Sequence, residues 1–387
     1  MSILKTIFWL SVFIIIWGNI GYQVSIILLE YIFKPEKIKK DYKYKPDVTV
    51  MIVAHNEEKV IREKLYNVLN LNYPNDKLEI LVTSDFSTDK TNKIVKEVIK
   101  ENPSRKIRLY EVKERKGKTN AQNEAARTIT SEIIIMSDAN SILDENAVTE
   151  IVSAFTDKKI AYVTGKLCYI NSEESEVSGS ENTYWNLDTE IRDIESRFQT
   201  ITAGNGALYA CRKEDYVEFD PMKSHDIEMP YYYAMEGKRA IANHDAVAYE
   251  KAGENIEDEF KRKIRMNKGI LRAILPSIKI LNVFKYKWYS YFYLGHRTCR
   301  YLLWFMHFIL LITSIILLKQ DSIYFLALII QIIVYMLAII KFVFKINNKI
   351  LNFIYYYCVT IIAQFFGVKN QLIGNEKPFW EKAESTR

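Results

Sequence analysis

The sequence predicts an α/β domain enclosed by membrane helices, and three observations carry that prediction. From Pro46 to about Lys268, short β-branched runs alternate with amphipathic stretches, the pattern of a mainly parallel sheet covered by helices. Apolar runs of about 20 residues, long enough to cross a bilayer core as helix, stand on both sides of this segment. A cluster of lysines separates the first run from the polar domain.

Residues 7–28 form the first run, which continues to Phe33 with no small-residue cleavage site, so residues 1–33 read as a retained transmembrane helix. Lys34, Lys37, Lys39, Lys40, Lys43 and Lys45 follow it, against Lys5 alone before it. The positive-inside bias then puts the next domain in the cytoplasm. Within residues 46–270, VTVMIVA (48–54), EILVTSD (79–85), KIRLYEV (106–112) and EIIIMSD (132–138) read as strands. Residues 59–69 and 88–99 have helical periodicity, with Ser87 or Thr88 as N-cap of the second stretch. Leu187, Ile191, Ile194 and Phe198 mark one face of a later helix, and 173–180 reads as a polar loop.

Residues 271–298 mix apolar, basic and aromatic side chains, as suits helices lying at the lipid headgroups. Further spans are expected at 301–318, 323–344 and 350–368, within a membrane region 299–369. If the last one crosses, the 370–387 tail ends outside, although it follows Lys369 and carries Lys377, Lys382 and Arg387. A re-entrant segment would reverse that placement.

Of the 387 residues, 49% are hydrophobic and 13% aromatic, high for a wholly soluble chain. A net charge of +6 is modest for this length and gives no reason to expect a nucleic-acid partner. Cys168, Cys211, Cys299 and Cys358 are far apart, with no CxxC or Cys/His metal spacing, which argues against a disulfide framework.

Two strands run directly into Asp85 and Asp138 at the edge where open α/β sheets bind ligands. Each acid also has a plainer reading as a helix cap or dipole partner. GKT at 117–119 is not a P-loop, because the required earlier glycine is Val112; what remains is a basic turn opening a helix. Asp226 in SHDIEM (224–229) can serve as acid, base or N-cap. Arg262 and Arg265 in FKRKIRM (260–266) share a helix face that could meet an anionic ligand or anionic lipid. His244 stands alone and reads as structural more readily than as a ligand.

Taken in order, VAHNEE (53–58), SDFSTDKT (84–91), the Lys116–Lys118 turn, SDAN (137–140), AGNGALYACR (203–212), SHDIEM and FKRKIRM resemble the membrane-bound family 2 glycosyltransferases, such as hyaluronan, cellulose and poly-N-acetylglucosamine synthases. The resemblance covers nearly the whole chain. It implies a glycosyltransferase A (Rossmann-like) cytosolic domain that takes a UDP-sugar donor. Glu57 would meet the ribose and Asp85 the base, while Lys118, Arg262 and Arg265 would face the diphosphate. Asp138 and Asn140 would hold Mg²⁺ or Mn²⁺, with Asn140 standing where the family has a second acid. Asp226 would be the general base, with His225 in place of the usual preceding acid. Gly204, Asn205 and Gly206 would form the acceptor loop, and Tyr184 and Trp185 would offer stacking surfaces. The closing KPFWEKAESTR looks like the family's W-x-K tail.

The activity so implied is inverting transfer to a growing polysaccharide, as in exopolysaccharide or capsule synthesis, by a multi-pass plasma-membrane enzyme. Met266 stands where the family has tryptophan, which keeps open a single addition to a lipid or polyprenyl-phosphate acceptor. Asn140, His225 and Met266 together leave a further alternative, a noncatalytic nucleotide-binding membrane sensor.

Overall fold

The computed structural model describes residues 2–171, 176–252, 256–376 and 378–379, and within them all side chains except those of 176–185, 256 and 258. Eight strands form one sheet: β1 (Val48–Ala54), β2 (Leu78–Ser84), β3 (Lys106–Glu111), β4 (Ile133–Asp138), β5 (Ile142–Leu143), β6 (Ile160–Tyr169), β7 (Leu208–Arg212) and β8 (Arg239–Glu250). Their order is β3-β2-β1-β4-β7-β6-β8-β5. The first four are parallel, as expected from the runs that end on aspartates. Because side chains alternate across a strand, the sheet is buried on both faces. Val50 and Ile52 join Ile61, Leu65, Val68, Val148 and Ile151 in one core, whereas Met51 joins Leu81, Ile134, Met136, Ala125 and Met229 in the other.

β7 breaks the parallel pattern by running antiparallel to both β4 and β6. Ser137 pairs with Leu208, so the loop entering β7 lies at the same edge as the carboxyl end of β4. Reversing one strand thus carries residues 203–207 to Asp138.

Local boundaries differ from expectation where polar side chains have other partners. Helix Thr91–Glu101 starts three residues after Thr88. Ser87 Oγ accepts from the Asn56 N–H at 3.1 Å and the Thr88 N–H donates to Asn56 Oδ1 at 2.7 Å, so both residues hold the β1 turn. Asp89 takes the capping role, accepting from the Thr91 N–H at 2.9 Å and its hydroxyl at 2.6 Å. Helix Glu176–Phe198 begins inside the segment expected as a loop. Ile191 and Ile194 bury against Tyr22, Ile26 and Phe292, with Phe198 packed alongside, but Leu187, expected on the same face, is exposed. All four cysteines are free.

Among the described residues, helices Ser2–Phe33, Ser322–Phe344 and Lys349–Leu372 are long and apolar enough to cross a membrane. Trp288–Tyr301 and Leu303–Leu317 form a fourth candidate bent by 61°. The 32 residues of the first helix span about 48 Å. It ends at Lys34, in the left-handed region at φ 45°. Short turns over 275–287 leave Ile278 and Phe284 exposed by 75% and 93% while burying Ile280 and Tyr286, an arrangement suited to the headgroup layer.

The C-terminal helix and the residues after it are tied to the α/β domain. Tyr356 OH accepts from Lys263 Nζ at 2.5 Å, Gly367 lies against Asn267, and Gln371 Oε1 accepts from the Leu271 N–H at 3.0 Å. Glu376 Oε1 then accepts from the Gly269 N–H at 2.7 Å, and the Pro378 carbonyl lies against Gly117. The tail therefore lies on the α/β domain, the placement expected if the last segment is re-entrant and not if it crosses. Single cysteines placed at Lys37 and beyond Gly374 should react with an impermeant maleimide from the same side of sealed vesicles; labelling from opposite sides would refute this arrangement.

Candidate active site

The edge formed by the ends of β1, β2 and β4 gathers most of the expected residues. Asp85 follows β2 and is 3% exposed. Its carboxylate accepts from the Gly117 N–H at 3.1 Å and from the Lys116 N–H at 3.3 Å. Burial raises its pKa; the two N–H groups, His55 and Arg115 pull the other way. Asp85 thus holds the basic turn in place, a task added to the base contact expected of it. His55 Nδ1 meets the Asp85 carbonyl at 2.7 Å. Glu57 is buried in the β1 turn, where its N–H donates to Thr91 Oγ1 at 2.7 Å.

Gly117 has φ 92°, which favours glycine, and a Cβ there would overlap the Pro378 carbonyl. Arg115 lies over the Phe379 ring at 4.5 Å. Trp380 and Lys382 of the tail motif lie outside the described residues, as do the side chains of Tyr184 and Trp185.

Lys118 opens helix Lys118–Ala126 and forms a close ion pair with Asp138 at the end of β4. Burial alone would lower the lysine pKa, but Asp138 and then Asp226 outweigh it, so the pKa is raised and Lys118 stays cationic. Gly206 marks where these groups meet. A methyl group there would sit 3.2 Å from Lys118 Nζ, 3.4 Å from an Asp138 oxygen and 3.8 Å from an Asp226 oxygen.

Asp226 occupies the first turn of helix His225–Met235, where Ser224 is the N-cap residue. The Ser224 hydroxyl donates a close hydrogen bond to the Asp226 carboxylate. The Asp226 carbonyl would ordinarily accept the N–H four residues on, but that residue is Pro230, which has none. Gly204 supplies its N–H instead, at 2.7 Å. The proline so joins the Asp226 backbone to the loop carrying Gly206. His225 turns away, with Nε2 3.0 Å from Tyr216 OH and its ring against Phe219. Burial, and then Lys118, push its pKa down to about 3, so it stays neutral.

Other candidates have different places. Asn205 is buried and shapes its own loop instead of facing an acceptor: Nδ2 donates to the Gly165 carbonyl at 2.6 Å, and Oδ1 accepts from the Ala207 and Leu208 N–H groups at 3.2 Å. Arg262 forks onto Glu259 at 2.8 and 2.9 Å, while Arg265 is exposed on the same helix. His244 Nε2 meets the Thr189 carbonyl at 2.9 Å, in a structural role.

Among the described residues, no three His, Cys, Asp or Glu side chains form a metal cage. Asp138, paired with Lys118, and the half-buried Asn140 two residues on carry the oxygen donors that a hard divalent cation takes. Residues missed in the sequence include Pro230 and Lys64. A proline four residues after Asp226 and a lysine on the apolar face of 61–69 were the available signals.

Residues 49–218 match the family model described as Glycosyl transferase family 2. A probable glycosyltransferase YdaM of Bacillus subtilis is 36% identical over 141 residues, 36% of this chain and 34% of that protein. A beta-monoglucosyldiacylglycerol synthase of Nostoc is 28% identical over 184 residues, covering 45% and 39%. The poly-beta-1,6-N-acetyl-D-glucosamine synthase of Staphylococcus aureus is 25% identical over 268 residues, covering 64% and 63%. The chain thus spans between about a third and three fifths of the length of these relatives. The mannosyltransferase PcManGT from Pyrobaculum calidifontis, solved in complex with GDP-Man and Mn²⁺, superposes with a TM-score of 0.72 over 96% of this chain and all of that one, at 22% identity. That likeness gives the glycosyltransferase A fold, and the sequence match gives the family: residues 49–218 form a glycosyl transferase family 2 domain.

Proposed function

We propose that this protein is an inverting, metal-assisted hexosyltransferase that passes a sugar from a UDP-sugar to a growing polysaccharide, as in exopolysaccharide or capsule synthesis. It works at the cytoplasmic face of the plasma membrane, which it crosses several times. The observation that carries this reading is the convergence of Lys118, Asp138 and Asp226 around Gly206. The relatives named above, one a polysaccharide synthase and one a glycolipid synthase by name, support the range of acceptors considered.

In this reading Asp226 accepts the proton of the acceptor hydroxyl as that oxygen attacks the anomeric carbon from the face opposite the diphosphate. Its tether to Gly204 holds the base against the loop along which the acceptor lies. Lys118 and Arg265, joined by Arg262 once it leaves Glu259, stabilise the departing diphosphate. A divalent cation on Asp138 and Asn140 would neutralise charge developing on the leaving group. Asp85 and Glu57, on adjacent strand ends, orient the base and ribose.

A second reading, one sugar added to a lipid or polyprenyl phosphate, is favoured by Met266. This residue accepts from Arg262 Nη1 at 3.3 Å where the family places an aromatic platform. Product sizing with purified protein separates the readings: a ladder or polymer supports the synthase, and a single addition supports the lipid transferase.

Replacing Asp226 by Asn should cut transfer roughly 10²- to 10⁴-fold while UDP binding persists. Full activity in that variant would remove Asp226 from the chemistry. Gly206→Ala places a methyl among three charged groups, so transfer should fall roughly 10- to 100-fold with little change in melting temperature. Unchanged turnover would show that this point is not where the reaction occurs.

A further inference from the structure

The carboxylate at the end of β4 is supported from beneath by a residue that belongs to none of the motifs. Lys64, on helix Ile61–Leu69, shares the helix face of Ile61, Leu65 and Val68, and its side chain is 0% exposed. A buried amino group is costly unless its donors are satisfied, and burial pushes the Lys64 pKa down to about 7. Here Nζ donates to Ser137 Oγ at 2.7 Å and to the Ser141 carbonyl at 2.5 Å. These two acceptors bracket Asp138, Ala139 and Asn140, so one amino group clamps both ends of the turn. Ser137 Oγ passes the constraint on by donating to the Ala207 carbonyl at 2.8 Å, next to Gly206. At the other end, the Ser141 hydroxyl makes a close hydrogen bond to Glu250.

The lysine therefore touches the turn that offers Asp138 and Asn140 and, through one serine, the strand start that follows Gly206. An apolar residue at this position would pack among Ile61, Leu65 and Val68 without desolvating an amino group. The fold alone gives no reason to prefer a lysine there.

We infer that Lys64 is a positioning residue for the metal and diphosphate end of the site, fixing the turn that carries Asp138 and Asn140 relative to Gly206. This rests on the proposed role of Asp138. Supporting groups of this kind typically change metal affinity 10- to 100-fold when removed.

The test uses full-length protein in detergent, following Mn²⁺-dependent binding of UDP and of GDP by calorimetry, together with melting temperature and the donor KM. Lys64→Met keeps the chain length and removes the amino group. It should melt within a few degrees of the parent, or higher, while the Mn²⁺ needed for half-maximal nucleotide binding rises about tenfold or more and the donor KM rises more than kcat falls. Ser137→Ala, which removes the relay and keeps the lysine, should shift Mn²⁺ dependence in the same direction by less, and it decides the matter if Lys64→Met does not fold. Loss of melting temperature with unchanged Mn²⁺ dependence in Lys64→Met, or parental Mn²⁺ dependence in Ser137→Ala, would overturn the inference. Asp138→Ala separates the two levels. If it binds the Mn²⁺ nucleotides as tightly as the parent, the role given to Asp138 is wrong; if it binds poorly while both other variants bind normally, only the role of Lys64 fails.

Discussion

Two carboxylates from different elements, Asp138 and Asp226, approach a single point, and the cation of Lys118 is what allows it. Like charges brought this close oppose one another, whereas opposite charges about 4 Å apart attract by roughly 4 kcal/mol at the effective dielectric of a partly buried site. Lys118 lies within reach of both acids, and their combined field raises its pKa against the effect of burial. Much of the surrounding architecture serves this arrangement. β7 reverses direction so that its entry loop meets the end of β4, Gly206 leaves the space open, and Pro230 frees a carbonyl that draws helix His225–Met235 to Gly204.

The same domain is fixed to the apolar helices at two separate places. On one side, His296 lies between Glu195 at 2.8 Å and Asp188 at 3.1 Å, Asp188 also meets Arg192 and Arg300, and Tyr22 OH donates to Glu195 at 2.7 Å. Breaking any one of these pairs would leave a charge buried, so the junction resists piecemeal loosening. On the other side, the basic helix Ile256–Met266 packs on helix Lys349–Leu372, with Lys263 over the Tyr356 ring at 4.0 Å. A helix whose cations are engaged this way is as much a brace as a ligand surface, which accounts for Arg262 lying on Glu259.

Strand ends were legible because a parallel sheet needs continuous apolar runs, and an acid at the end of such a run stands out. Asp85 and Asp138 could be found in that way, whereas the two glycines at 204 and 206 were legible through their motif. Asp226 was legible through its motif alone, since its tether depends on a proline whose effect appears only when the helix has formed. Asn205 could not be distinguished from its glycine neighbours, because satisfying its amide requires β6, far away in sequence. The end of the chain was left open for a related reason. Hydropathy reports that a helix is apolar enough for lipid, but it does not reveal that the residues following it return to the α/β domain.

That return links the apolar helices to the nucleotide edge. Helix Lys349–Leu372 is held by Lys263 and Leu271, Glu376 is held by the Gly269 N–H, and two residues later the chain lies on Gly117, whose own N–H is bound by Asp85. The turn expected to face the donor is thus clamped between a strand-end carboxylate and the tail. The positive φ at Gly117 matters on both counts, since it presents the N–H to Asp85 and leaves room for the Pro378 carbonyl. Any side chain at that position would strain the turn and displace the tail together, so the glycine couples two contacts that would otherwise vary independently.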